Sequence, residues 1–210
     1  MKGDTGQIRS FIAIEIPDMV KNSLENLQKK LTASGIKASF SKPETLHLTL
    51  KFLTAFFMGN IRVDDLDSIK NSMKKAVTGI LPHRLFAAGV DVFPSIKHAR
   101  TIWSGIRGET HCLETLAAGL ESVLFKETGM AKEKKIFRPH LTLARINHRI
   151  PPDLIVKVIK AFENFQTPDF SVSGISLFQS RLSQSGAVHK QFFLYRFPLI
   201  GSKHQIKISC

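Results

Sequence analysis

Leu46 to Leu50 reads LHLTL, and Pro139 to Leu143 reads PHLTL. Each run places a His and a Thr two residues apart among apolar neighbours. In a β-strand the side-chain period is two, so His and Thr share one face and the Leu residues take the other. The Leu face suits a core, and the opposite face then carries one imidazole and one hydroxyl. Two such strands facing each other would put His47, Thr49, His140 and Thr142 around one cavity. Imidazole exchanges protons near neutral pH and hydroxyls bond phosphate oxygens, so such a cavity suits acid–base chemistry on a phosphate.

The flanking pattern fills in an α+β chain. Residues 8–16 alternate and are rich in β-branched types, which predicts a strand. Pro17-Asp18 opens a helix with Val20, Leu24, Leu27 and Leu31 as its apolar stripe, and Gly35 ends it. A short strand at 37–40 leads to the first motif strand at 46–53. Asp64-Asp65 begin a second helix, with Leu66, Ile69, Met73 and Val77 on one face. Residues 84–92 and 100–106 suit paired strands, and 109–128 a third helix. The second motif strand is expected at 139–146. A helix follows from Pro151 to about 164, then strands at about 170–180 and 189–197. Helices interleaved with strand pairs predict largely antiparallel sheets.

Length and charge narrow the rest. The 210 residues, 43% hydrophobic with 16 Phe, fit one domain or one domain of two lobes. No stretch approaches the roughly 20 apolar residues that span a bilayer. The polar opening MKGDTGQ lacks a secretory h-region, so a cytoplasmic setting is expected. Cys112 and Cys210 have no metal-type spacing and are expected as thiols. There are 30 Lys and Arg against 17 Asp and Glu, a net charge of +13. That excess fits either a solvated basic surface or polyanionic partners such as RNA. No Walker loop, dinucleotide glycine fingerprint or carboxylate-rich metal cluster is evident.

The motifs and their surroundings resemble the 2H phosphoesterase superfamily, and within it the RNA 2′,3′-cyclic phosphodiesterases, also called the 2′-5′ RNA ligase family. The resemblance is carried by Arg9 to Ile14, by LHLTLKFL at Leu46–Leu53, and by Phe93-Pro94 with Ile102 to Gly105. It continues through FRPHLTLAR at Phe137–Arg145, Ile175 to Leu182 and Phe197 to Leu199. It implies a single bilobal domain over residues 8–199, with two pseudo-symmetric lobes of mainly antiparallel sheet and a cleft between them. Residues 1–7 and 200–210 are then flexible ends. Where the family continues from the first motif into a Gly and a short acidic loop, this chain has TAFFMGN, so the loop at 54–61 is expected to border the cleft and bear on substrate preference.

The resemblance further implies metal-independent hydrolysis of RNA 2′,3′-cyclic phosphate ends to 2′-phosphates by a monomer, with no cofactor, and reversible 2′-5′ ligation beside it. His47 would be the general acid for the leaving 3′ oxygen and His140 the base for water. Thr49, Thr142 and Arg145 would bind the phosphate. Arg145 and Phe52 each lie five residues beyond a motif His, a parity opposite to it, so a bulge or bend is needed to bring them to the same face. Phe52 fits base stacking or core packing equally. Lys51 shares the His parity and is expected at the cleft mouth, Trp103 in the core, and the six other histidines at incidental positions. Three readings compete: a 2H enzyme acting on a small nucleotide or 2′-5′ oligonucleotide, a non-catalytic RNA-binding module, and a metal site on His47 and His140. Intact His and Thr in both motifs weigh against binding alone. The lack of a nearby Cys or acidic third ligand weighs against the metal.

Overall fold

The computed structural model describes residues 7–53, 61–183 and 186–198. The expectations for residues 1–6, for the loop at 54–60 and for the tail at 200–210 lie outside the described residues. The elements in chain order are β1 (Gln7–Ile8), β2 (Ser10–Glu15), α1 (Asp18–Ala33), β3 (Ser39–Phe40), β4 (His47–Leu53), β5 (Ile61–Arg62) and α2 (Leu66–Ala76). After these come β6 (His83–Phe93), β7 (Thr101–Gly108), α3 (Thr110–Thr128), β8 (His140–Arg145), α4 (Pro152–Ala161), β9 (Phe170–Val172), β10 (Gly174–Ser183) and β11 (Gly186–Arg196).

Two antiparallel sheets carry the fold. The first has the order β11-β10-β2-β4, and the second β3-β8-β7-β6-β9. β1 and β5 form a separate antiparallel pair. The architecture is the expected α+β, with one motif strand in each sheet. β4 is the edge of the first sheet, and it packs against β8 of the second.

α1 shows how the sequence makes the core. Val20, Leu24, Leu27 and Leu31 recur at helical spacing and are all buried. Burying such a side chain is worth about 1.5–3 kcal/mol. Asp18 in the first turn and Lys30 in the last complement the helix dipole. The chain leaves the helix through Gly35 at φ +92°, a left-handed conformation that suits glycine. α2 and α3 pack on each other, α3 also meets β4, and α4 packs on β6.

The strand expected at about 170–180 is two strands. β9 pairs with β6 in the second sheet, and β10 pairs with β2 in the first. The chain therefore changes sheets at Ser173-Gly174. At Gly174 a Cβ would collide with the Tyr195 carbonyl of β11, so the crossing needs glycine. The apolar alternation continues through the break, which hides it from the sequence pattern.

Candidate active site

The two motif strands repeat one another in detail. In β4, His47 and Thr49 are half-buried while Leu48 and Leu50 are in the core. In β8, His140 and Thr142 are half-buried while Leu141 and Leu143 are in the core. Each strand then breaks register at the same place. Thr49 pairs with Ala13 and Lys51 with Ile12, which leaves Leu50 as the extra residue against β2. Thr142 pairs with Trp103 and Ala144 with Ile102, which leaves Leu143 as the extra residue against β7. These matched bulges are what the parity of Phe52 and Arg145 required.

Beyond the bulge the faces exchange. Phe52 and Arg145 are exposed on the side of their histidines. Phe52 is 52% exposed, which removes core packing as its reading. Lys51, expected at the cleft mouth, is turned to the core side and is 2% exposed. Its Nζ lies 2.7 Å from Glu121 Oε1 on α3 and donates to the Ala131 carbonyl at 3.2 Å. The period of two holds only up to the bulge, so Lys51 is a buried, paired lysine outside the site.

Both histidines are held in the same way. His47 Nδ1 is 2.6 Å from the Thr45 carbonyl, and His140 Nδ1 is 2.7 Å from the Arg138 carbonyl. A carbonyl only accepts, so Nδ1 carries the hydrogen and Nε2 is left as the group that exchanges a proton. Thr45 ends the short turn Pro43–Thr45, and Arg138 is set extended by Pro139 after it. Each carbonyl thus reaches back to the ring two residues on.

The walls around the rings differ. Phe11 stacks on His47 at 4.6 Å between centroids and on Phe178 at 5.2 Å. His189 of β11 stands edge-on to His47 at 5.1 Å. Burial pushes the His47 imidazole down from 6.5 to about 4, against the pull of the Thr45 carbonyl, with smaller lowering by His189 and His140. His189 is also lowered, by burial. Around His140 the ring edges of Phe93 at 5.1 Å and Trp103 at 5.8 Å close the site, and Phe93 and Trp103 stack at 4.7 Å.

Trp103 is therefore on the cleft face, opposite Thr142, and not in the core as expected. His189 is a neighbour of His47 and not incidental. Phe11, Phe178 and Glu15 complete this face, with Glu15 opposite His47 and accepting hydrogen bonds from Ser176 and Gln191. The alternation of Phe11, Ala13 and Glu15 against Ile12, Ile14 and Ile16 carries the signal for that strand. His189 has no such signal, because its place depends on the pairing of β10 with β11. A cavity of about 510 Å³ adjoins His140 and is lined in part by Trp103, Gly105, Arg107, Phe137 and Arg138. Among the described residues no group of three or more His, Cys, Asp or Glu side chains is placed to hold a metal ion, and no helix is long and apolar enough to cross a membrane.

Two antiparallel sheets, each presenting a His-x-Thr strand to one cleft, define a phosphoesterase of the two-histidine class. The family model described as LigT like Phosphoesterase matches residues 14–103 and 110–189, and the chain belongs to that family. The RNA 2′,3′-cyclic phosphodiesterase of Methanothermobacter thermautotrophicus is 25% identical over 190 residues, covering 90% of this chain and 99% of that protein. The enzyme of the same name from Thermotoga maritima is 27% identical over 190 residues, covering 90% and 96%. Among solved structures, TT0787 of Thermus thermophilus superposes with a TM-score of 0.73 at 24% identity, covering 90% of this chain and 98% of that one. E. coli LigT complexed with 3′-AMP gives a TM-score of 0.66 at 19% identity, covering 91% and 98%.

Proposed function

We propose that the chain hydrolyses 2′,3′-cyclic phosphates at RNA ends and leaves the phosphate on the 2′ oxygen. The observation that carries this reading is the pair of His-x-Thr strands with matched bulges, both histidines bonded at Nδ1 and both with Nε2 left for proton exchange. The relatives named RNA 2′,3′-cyclic phosphodiesterase support the substrate, as does the net charge of +13. In this mechanism His140 Nε2 takes a proton from water, and the water oxygen attacks phosphorus opposite the 3′ oxygen. The bond from phosphorus to the 3′ oxygen breaks, and His47 Nε2 gives that oxygen its proton. Thr49, Thr142 and the Arg145 guanidinium stabilise the charge on the non-bridging oxygens. Phe52 and the aromatic wall around His47 offer faces on which a base stacks.

Burial leaves His47 neutral in the free protein at neutral pH, since its value is about 4. Its role as acid then requires the bound phosphate to draw a proton onto it, so substrate binding and proton uptake are coupled. The functional unit is one bilobal domain over 8–199, acting as a cytoplasmic monomer with neither metal nor other cofactor. The same geometry serves the joining of a 2′,3′-cyclic phosphate to a 5′-hydroxyl, in which His140 takes the proton of the 5′-hydroxyl in place of water and His47 again protonates the 3′ oxygen; the histidine roles exchange only when the 2′-5′ linkage is cleaved back to the cyclic phosphate. Product analysis tests the reading on three substrates: a cyclic mononucleotide, an oligonucleotide with a cyclic phosphate end, and 2′-5′-linked RNA. Turnover of the second to a 2′-phosphate is expected. Turnover of neither cyclic substrate would refute it.

A further inference from the structure

We propose that Gln28 is a positioning residue for the phosphate site: it holds the bulge of β8 that turns Arg145 into the cleft. Gln28 lies on the apolar stripe of α1, beside Leu24, Leu27 and Leu31, and is 5% exposed. An amide buried there needs hydrogen-bond partners. Its Nε2 donates to the Leu143 carbonyl and to the Ser41 carbonyl, both at 2.9 Å. Leu143 is the extra residue of the bulge. Its carbonyl also accepts from the Ser41 amide at 2.8 Å. Ser41 in turn leads through the turn Pro43–Thr45 into His47. One side chain from α1 thus ties the approach to the first motif to the bulge of the second.

The consequence falls on Arg145. In regular pairing residue 145 shares its face with Leu141 and Leu143, which are fully buried. The bulge is what places Arg145 on the His140 side. The Leu143 carbonyl takes the Ser41 amide on one side, and Gln28 gives it a second donor from α1, which pins the extra residue of the bulge from the core. The matching bulge of β4 has a different support, since there the residue after the extra Leu is Lys51, paired with Glu121 on the buried side.

The inference rests on Arg145 as a phosphate-binding residue, and the experiment separates the two. The full chain is assayed with a 2′,3′-cyclic mononucleotide, and inorganic phosphate is used as inhibitor. Gln28→Leu removes both donated bonds, and Gln28→Met does so with an unbranched side chain nearer in shape. Urea unfolding selects the variant that is folded under assay conditions. The expected loss in kcat/KM is about 10- to 100-fold, the effect of a displacement of about 1 Å at a reacting group. Phosphate inhibition weakens in step. Arg145→Ala causes its own loss, and the double variant falls no further than Arg145→Ala alone. Normal kcat/KM in a folded Gln28 variant overturns the inference, and so do losses that multiply in the double variant. If Arg145→Ala by itself changes neither kcat/KM nor phosphate inhibition, the reading of Arg145 fails, and the inference with it.

Discussion

Burial of the His47 imidazole sets a measurable pH dependence of stability. Its value falls from 6.5 to about 4 in the folded protein, mainly because the ring is packed among Phe11, Phe178 and His189. Between those two values the unfolded chain holds a proton that the folded chain does not. Stability from this group is complete above pH 6.5 and is lost as pH falls toward 4. At about 1.4 kcal/mol per pH unit the whole span is worth about 3 kcal/mol, of which about 2 kcal/mol is gone by about pH 5. His47→Gln cannot titrate, so it lacks this term while keeping the titrations of His83 and His189. Urea unfolding of both proteins at about pH 7.5 and about pH 5 reads the difference directly. The wild type should lose about 2 kcal/mol more than the variant on acidification. Parallel loss in the two proteins would refute the argument that burial keeps His47 neutral.

Other expectations follow from the same geometry. His47→Ala and His140→Ala should each lower turnover by about 10²- to 10⁴-fold, with the double variant little worse than either, and steady-state kinetics reads this. Thr49→Val and Thr142→Val should lose activity while unfolding in urea much as the wild type does, because the hydroxyls face the cleft. Glu121→Gln should cost stability, on the order of 1–3 kcal/mol, because it leaves the buried Lys51 ammonium without its nearest anion, and should spare KM. Exhaustive chelation should leave the rate unchanged, since in the proposed mechanism imidazoles transfer the protons; loss restored by a divalent ion would assign a metal to the site.

Much of this was readable in residues, and the exceptions have physical causes. The two His-x-Thr runs, the stripe of α1 and the β6–β7 hairpin follow local periodicity, so their strands and helices lie where the pattern places them. Phe52 and Arg145 needed a bulge that parity demanded but could not locate. Lys51 fell on the wrong side of it, because a register break reverses every face beyond it. The change of sheet at Gly174 is set by the approach of Tyr195, a contact between distant residues. Trp103 and His189 reached the site through strand pairing, and Gln28 through a bond to Leu143 on another element. Such contacts have no periodic signature. Gln28 still left one trace, a polar residue four positions after Leu24 on a face otherwise apolar.

In the proposed mechanism two imidazoles on facing strands open a cyclic phosphate in one direction. Phosphorus NMR of the product from an oligonucleotide ending in a 2′,3′-cyclic phosphate tests it, with wild type and the two single histidine variants run side by side. A 2′-phosphate is expected from the wild type and an unchanged cyclic phosphate from His47→Ala and from His140→Ala over the same time. A 3′-phosphate product would reverse the histidine roles, and a wild-type rate in either variant would contradict the two-histidine mechanism.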